Sequence, residues 1–172
     1  MTAFWWLLGF VVLQRLAELA YAQRNTRRLL AAGGVEHGHC HYPLLVALHV
    51  AWLASIAAFV PPATPPDRVL LVVFLILQVA RVWIIASLGR YWTTRVVTLP
   101  GAPLVRRGPY RFMRHPNYLL IACEIAVLPL IFGAWWIALA FSIVNAVLLA
   151  WRIRVENTAL GPRRAAGTQR AG

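Results

Sequence analysis

The chain has 172 residues, of which 60% are hydrophobic and only 13% charged. Soluble domains carry about 25% charged and about 45–50% apolar residues, so composition excludes an ordinary water-soluble domain and makes lipid the expected solvent. All 17 basic residues are arginine, set against five acids for a net charge of +12. They fall between apolar runs and not along one soluble face, which argues against nucleic-acid binding and for a topological role in a membrane.

A spanning helix needs about 20 mostly apolar residues. Five segments are predicted: Ala3 to Ala22, Pro43 to Val60, Val69 to Leu88, Tyr118 to Phe132, and Ala134 to Ala150. The fourth is short and contains Pro129. Only Gly133 separates the last two, which predicts a tight antiparallel helical hairpin. The expected fold is therefore an all-α integral membrane protein with five transmembrane helices.

Arginine placement orients them. Arg24, Arg27 and Arg28 follow span one. Arg90, Arg95, Arg106, Arg107, Arg111 and Arg114 follow span three, and Arg152, Arg154, Arg163, Arg164 and Arg170 follow span five. The loop after span two holds only Arg68, beside Asp67. Basic loops alternate, which predicts the N-terminus outside and the C-terminus in the cytoplasm. Residues 1–160 read as one membrane domain, and residues 161–172 as a disordered basic tail. The segment Gly89 to Arg114 carries β-branched and aromatic residues and then Pro100-Gly101 and Gly108-Pro109, which are turn signals. A connection of that length is expected to be functional.

Charged groups inside spans are costly, and usually pair or line a site. Arg15 and Glu18 lie in span one, Gln78 and Arg81 in span three, and Glu124 in span four. Gln14, Glu18, Tyr21 and Asn25 form one polar stripe at helical spacing. One reading is an ion-paired bundle, with Arg15 and Arg81 neutralised by Glu18 and Glu124. The other gives Glu124, seven residues from Asn117 on one helix face, a role in a site. His37-Gly38-His39-Cys40-His41 fits no ordinary zinc spacing, so no metal site is expected. His49 is expected to be a hydrogen-bonded packing residue. No glycine-rich turn joins a strand to a helix, so the soluble dinucleotide-type cradle is absent.

The most specific motif is Gly108-Pro109-Tyr110-Arg111-Phe112-Met113-Arg114-His115-Pro116-Asn117-Tyr118, at the start of span four. Together with Arg152-Ile153-Arg154-Val155-Glu156 it resembles the isoprenylcysteine carboxyl methyltransferase family, whose core related phospholipid methyltransferases share. The resemblance covers about Leu104 to Leu160 and puts a cofactor-binding core at about 89–160. A second acid usually follows the glutamate; here it is Asn157. Gln14-Arg15-Leu16-Ala17-Glu18-Leu19, Arg24-Asn25, Gly34, Glu36 and His41-Tyr42 are similar to a bacterial branch encoded beside type III polyketide synthases, whose members methylate alkylpyrones or alkylresorcinols. The resemblance implies an S-adenosylmethionine-dependent membrane methyltransferase acting on a lipid-like acceptor at the cytoplasmic interface. It implies a cofactor pocket of Leu104, Val105, Tyr110, His115, Pro116, Asn117, Tyr118 and Glu156.

The chemistry suits those residue types. Pro116 fits a helix first turn, whose free N–H groups favour an anionic carboxylate. Glu156 suits the cofactor amine, and Arg152 suits orienting an acceptor oxygen. A carboxylate acceptor needs no base. A phenol, with a pKa near 10, does, and His115 or Glu124 are the candidates. The contrasting expectation is a non-catalytic membrane scaffold or transporter subunit, resting on the intramembrane Arg and Glu residues alone.

Overall fold

The structure, a computed structural model, describes residues 2–37, 41–102 and 105–169. Five helices carry the fold: α1 (Ala3–Ala31), α2 (His41–Phe59), α3 (Arg68–Leu88), α4 (Pro116–Leu130) and α5 (Trp135–Gln169). Two three-residue strands, β1 (Val35–His37) and β2 (Val96–Thr98), pair antiparallel with Glu36 opposite Val97.

Local chemistry sets the helix ends. Asp67 caps α3, its carboxylate accepting from the Val69 and Leu70 N–H groups at 2.9 Å each, which satisfies two first-turn donors. Pro116 opens α4, where the missing N–H costs nothing. Gly133, at φ 70°, turns the chain from α4 into α5. The expected helical hairpin is present.

Four helices are long and apolar enough to cross a membrane: Ala3–Ala31, Tyr42–Phe59, Arg68–Tyr91 and Trp135–Ala159. The protein is an integral membrane protein. The fourth expected span is shorter than the others. Helix α4 has 15 residues, about 22 Å at 1.5 Å each, against a hydrocarbon core of about 30 Å. Pro116 fixes its start, and Pro129 and Gly133 its end. One further boundary moved. Helix α1 continues to Ala31 through Arg24–Arg28, because arginine, leucine and alanine are good helix formers; hydropathy marks where a span stops, not where a helix does. Helix α5 extends to Gln169, past Gly161-Pro162.

The two ends of the bundle are distinct. At one end α1 and α3 run into the β1–β2 sheet, which joins the two arginine-rich loops. At the other, the Asp67 N–H donates to the Ile131 carbonyl at 2.8 Å, tying the α2–α3 loop to the α4–α5 turn. Helix α4 thus connects the two ends. Exposed Trp5, Trp6, Trp135 and Trp136 cluster at that second end, as membrane-interface aromatics do.

Two apolar cores stack along the bundle. One joins Phe4, Trp52, Phe74, Ile125 and Ile137. The other, at the arginine-rich end, joins Ala22, Ile84, Trp92 and Leu120. Between them lies a polar layer. Arg15 donates to Glu18 at 3.0 Å and to Glu124 at 2.6 Å. Arg81 donates to Glu18 at 3.0 Å and to both oxygens of Glu124. Gln78 adds a bond to Glu124 at 3.0 Å. Two cations face two anions, so the layer is neutral. This is the ion-paired arrangement the sequence allowed.

Candidate active site

Segments 89–102 and 105–115 form a folded wall. Asn25, almost wholly buried on α1, donates to the Gly89 carbonyl at 3.2 Å and the Trp92 carbonyl at 2.9 Å. Arg95 pairs with Glu36 at 3.1 Å and lies 5.0 Å from the Tyr42 ring centre. His37 bonds Thr98 at 2.8 Å. Arg107 donates to the Ser87 carbonyl at 2.7 Å. Gly108, at φ 56°, packs so closely on α3 that a Cβ there would overlap Ser87 Oγ.

Against this wall four motif residues meet. Arg152 Nε donates to the Tyr118 hydroxyl at 2.8 Å, and Arg152 Nη2 donates to the Thr94 carbonyl at 2.7 Å. The Tyr118 hydroxyl donates in turn to Glu156. The His115 ring stacks on Tyr118 with centroids 5.2 Å apart, and its Nδ1 lies 3.8 Å from Glu156. The link is simple: α4 begins where α5 carries Arg152 and Glu156, four residues apart and so on one helix face. Tyr110 is half-buried in the 3-10 turn before α4. Burial first, and the Glu156 carboxylate second, push its phenol above its ordinary pKa, so it stays a neutral donor.

Two polar atoms here are buried without a protein partner: His115 Nε2 and Asn117 Oδ1. Buried polar groups are normally paired, so this pair marks a place for a polar ligand beside Glu156. Pro116 is buried at the helix start. Val105 is half-buried in the segment before Gly108. Leu104 lies outside the described residues, as do His39 and Cys40.

A cavity of about 290 Å³ opens beside Asn117, Tyr118 and Arg152. Trp92, Thr93 and Thr94 line its end at the wall; Leu19 and Leu16 of α1, Leu45 and Val46 of α2, and Ile121 and Leu149 line its sides. Arg15, Glu18, Arg81 and His49 lie along its deeper part. Glu124 is not among its lining residues, and neither is His115. The structure therefore brings together Arg152, Tyr118, Glu156 and His115, and puts Glu124 in the polar layer. Its carboxylate already accepts from two arginines and a glutamine, so it has little of the freedom a base needs. Thr94, Asn25 and the α2 wall were missed. Asn25 ended a visible polar stripe, but nothing in the sequence marked a backbone carbonyl at Thr94.

Comparison with known proteins bears directly on this arrangement. The isoprenylcysteine carboxyl methyltransferase (ICMT) family matches residues 69–162, which contain both halves of the Arg152–Tyr118–Glu156 cluster. The chain belongs to the ICMT family. Family membership makes it a membrane methyltransferase in general terms, and methyltransferases of the ICMT family generally use S-adenosylmethionine. An uncharacterized protein, YpbQ, of Bacillus subtilis is 38% identical over 161 residues, covering 91% of this chain and 96% of that protein. An uncharacterized protein of Haemophilus influenzae is 28% identical over 155 residues, covering 85% and 88%. No solved structure matches significantly.

Proposed function

We propose that this chain is an S-adenosylmethionine-dependent O-methyltransferase whose lipophilic acceptor binds in the cavity beside Arg152. The observation that carries the reading is one cluster with two sides. Glu156 and His115 offer polar groups on one side, and an apolar cavity, lined also by Asn117, ends at Arg152 and Tyr118.

The residues present fit the cofactor. The unpartnered His115 Nε2 and Asn117 Oδ1 and the Glu156 carboxylate suit its polar and cationic groups. Tyr110 and Tyr118 suit its apolar surface, with Leu104, Val105 and Pro116 adjoining in sequence. When bound, S-adenosylmethionine supplies an electrophilic methyl group. The chain's residues do the positioning, which provides much of the rate of an in-line transfer. Thr94 and Tyr118 fix the Arg152 guanidinium from two sides. So held, Arg152 favours an anionic oxygen, either a carboxylate or a phenol or enol whose ionisation the cation promotes. A carboxylate arrives ionised and needs no base, whereas a phenol or enol still gives up a proton, for which His115 is the candidate acceptor. The apolar cavity walls keep water from the acceptor.

The same charge argues against the main alternative, phospholipid N-methylation, because a protonated amine beside Arg152 meets like charge. A non-catalytic scaffold or transporter subunit has only the polar layer in its support, and that layer is self-neutralised. The proposed topology has five crossings, with α4 shortened by its start at the interface, the N-terminus outside and the active site cytoplasmic. The acceptor is an isoprenylcysteine-type carboxylate or a phenolic or pyrone polyketide lipid, with a functional link to a polyketide synthase. Membranes given labelled cofactor with a phenolic lipid and phosphatidylethanolamine side by side test this: label should enter the phenolic lipid. Label in phosphatidylethanolamine alone would overturn the O-transfer reading.

A further inference from the structure

The cavity has a second polar region that the Arg152 end does not use. His49, on α2, lines it, together with Arg15, Glu18 and Arg81. Arg15 and Arg81 turn their guanidinium groups onto Glu18 and Glu124, so the charges there are matched internally. The His49 ring is held differently. Its Nδ1 lies 2.8 Å from the Leu45 carbonyl, and Trp52 meets it edge-on with centroids 6.2 Å apart.

A carbonyl only accepts, so Nδ1 carries the ring proton. In the neutral ring Nε2 is then a bare acceptor. Glu18 adds a second acceptor on the α1 side, since among the described residues its Oε1 takes only the Gln14 amide, at 3.1 Å. The deep wall thus offers these acceptors and the unpartnered Nε–H of Arg15 among apolar neighbours, where an unmet polar group is expensive. The complement is a ligand hydroxyl, which donates to such acceptors and can accept from the Arg15 Nε–H.

Depth follows from α4. Tyr118 bonds Arg152 and Glu124 bonds Arg15. These two residues are six apart, about 9 Å along a helix axis.

We propose that His49 heads a second acceptor subsite, which takes a hydroxyl of the acceptor lipid about 9 Å from the oxygen presented at Arg152. The inference rests on the reading of this cavity as the acceptor site. It narrows the substrate class to lipophilic molecules with two oxygen functions: one methylated, and one donating to His49 Nε2. The α2 wall is then a specificity element, which selects bifunctional over simple chain acceptors.

The test uses para-propylphenol and its counterpart with a terminal hydroxyl on the propyl chain, whose two oxygens span about the depth estimated from α4. Equilibrium binding of each is measured by titration calorimetry on the full chain in lipid nanodiscs, for the wild type, His49→Phe and His49→Gln. Partitioning into lipid differs between the probes but cancels when proteins are compared. The preference for the hydroxylated probe should fall about five- to tenfold in His49→Phe, the worth of one hydrogen bond. His49→Gln, which retains an acceptor, should keep part of it. An equal preference in wild type and His49→Phe overturns the subsite. Methylation of either probe with an unchanged preference would overturn it too, while leaving the methyl-transfer reading standing. A shifted preference with no methylation would support the subsite and count against methyl transfer.

Discussion

Glu124 tests the architecture most sharply. Its carboxylate is the common acceptor for Arg15, Gln78 and Arg81, and Arg81 is only 2% exposed. Glu124→Leu leaves two guanidinium groups facing Glu18 alone, one net positive charge inside the bundle. Breaking a buried pair by removing one partner costs about 3–5 kcal/mol. Arg15, at 18% exposure, gains some relief from the cavity; Arg81 lines the same cavity but is so little exposed that it gains less. A cost within that range is therefore expected, with Arg81 carrying most of it. Unfolding by sodium dodecyl sulfate titration in bicelles, followed by circular dichroism, reads it. Arg81→Met combined with Glu124→Leu restores neutrality and should be more stable than Glu124→Leu. Glu124→Gln keeps an acceptor and should retain methyl transfer wherever it folds. Wild-type stability in Glu124→Leu would refute the neutral layer. A folded but inactive Glu124→Gln would return Glu124 to a catalytic role.

Other residues give narrower outcomes. Tyr118→Phe removes the hydroxyl between Arg152 and Glu156 but keeps the ring stack with His115; turnover should fall at least about tenfold while stability drops by about 1 kcal/mol, read by methyl-transfer rates and denaturant titration. Asn25→Leu strands the Gly89 and Trp92 carbonyls; it should destabilise by about 1–3 kcal/mol and raise the acceptor KM through the Thr94 wall, with cofactor affinity unchanged. Gly108→Ala meets both a positive φ and Ser87, and should cost about 1–3 kcal/mol in the same unfolding assay. Tyr110 bears on pH. Its raised pKa keeps the phenol neutral, so any stability tied to that proton is present below the ordinary value near 10 and is lost only above it. Tyr110→Phe should leave the pH profile of activity unchanged below that point.

The membrane character and the helix order were legible because lipid imposes a simple code: long apolar runs and arginine between them. The Arg152–Glu156 face and the His115–Tyr118 start were legible because proline punctuation and helical spacing fix local geometry. The ion-paired layer was readable as two arginines and two glutamates, but their partners were not, since pairing across α1, α3 and α4 depends on packing. This is why Glu124, on the same face as Asn117, drew a site role that its contacts do not support. The β1–β2 sheet was invisible for a similar reason. Val35–His37 and Val96–Thr98 are too short to announce strands, and each exists only against the other. His49 was read as a packing residue, and its bond to Leu45 fits that. Its place in the cavity wall emerged only once α1 and α2 were seen to enclose space.

The central claim is methyl transfer at the α4–α5 cluster, and transfer of labelled methyl from S-adenosylmethionine by the purified, reconstituted chain measures it most directly. With a bacterial lipid extract as acceptor, label should pass into an organic-soluble product. Glu156→Ala should lose cofactor binding, and Arg152→Ala should bind cofactor but transfer little. Failure of the folded wild-type protein to bind S-adenosylmethionine would contradict the account.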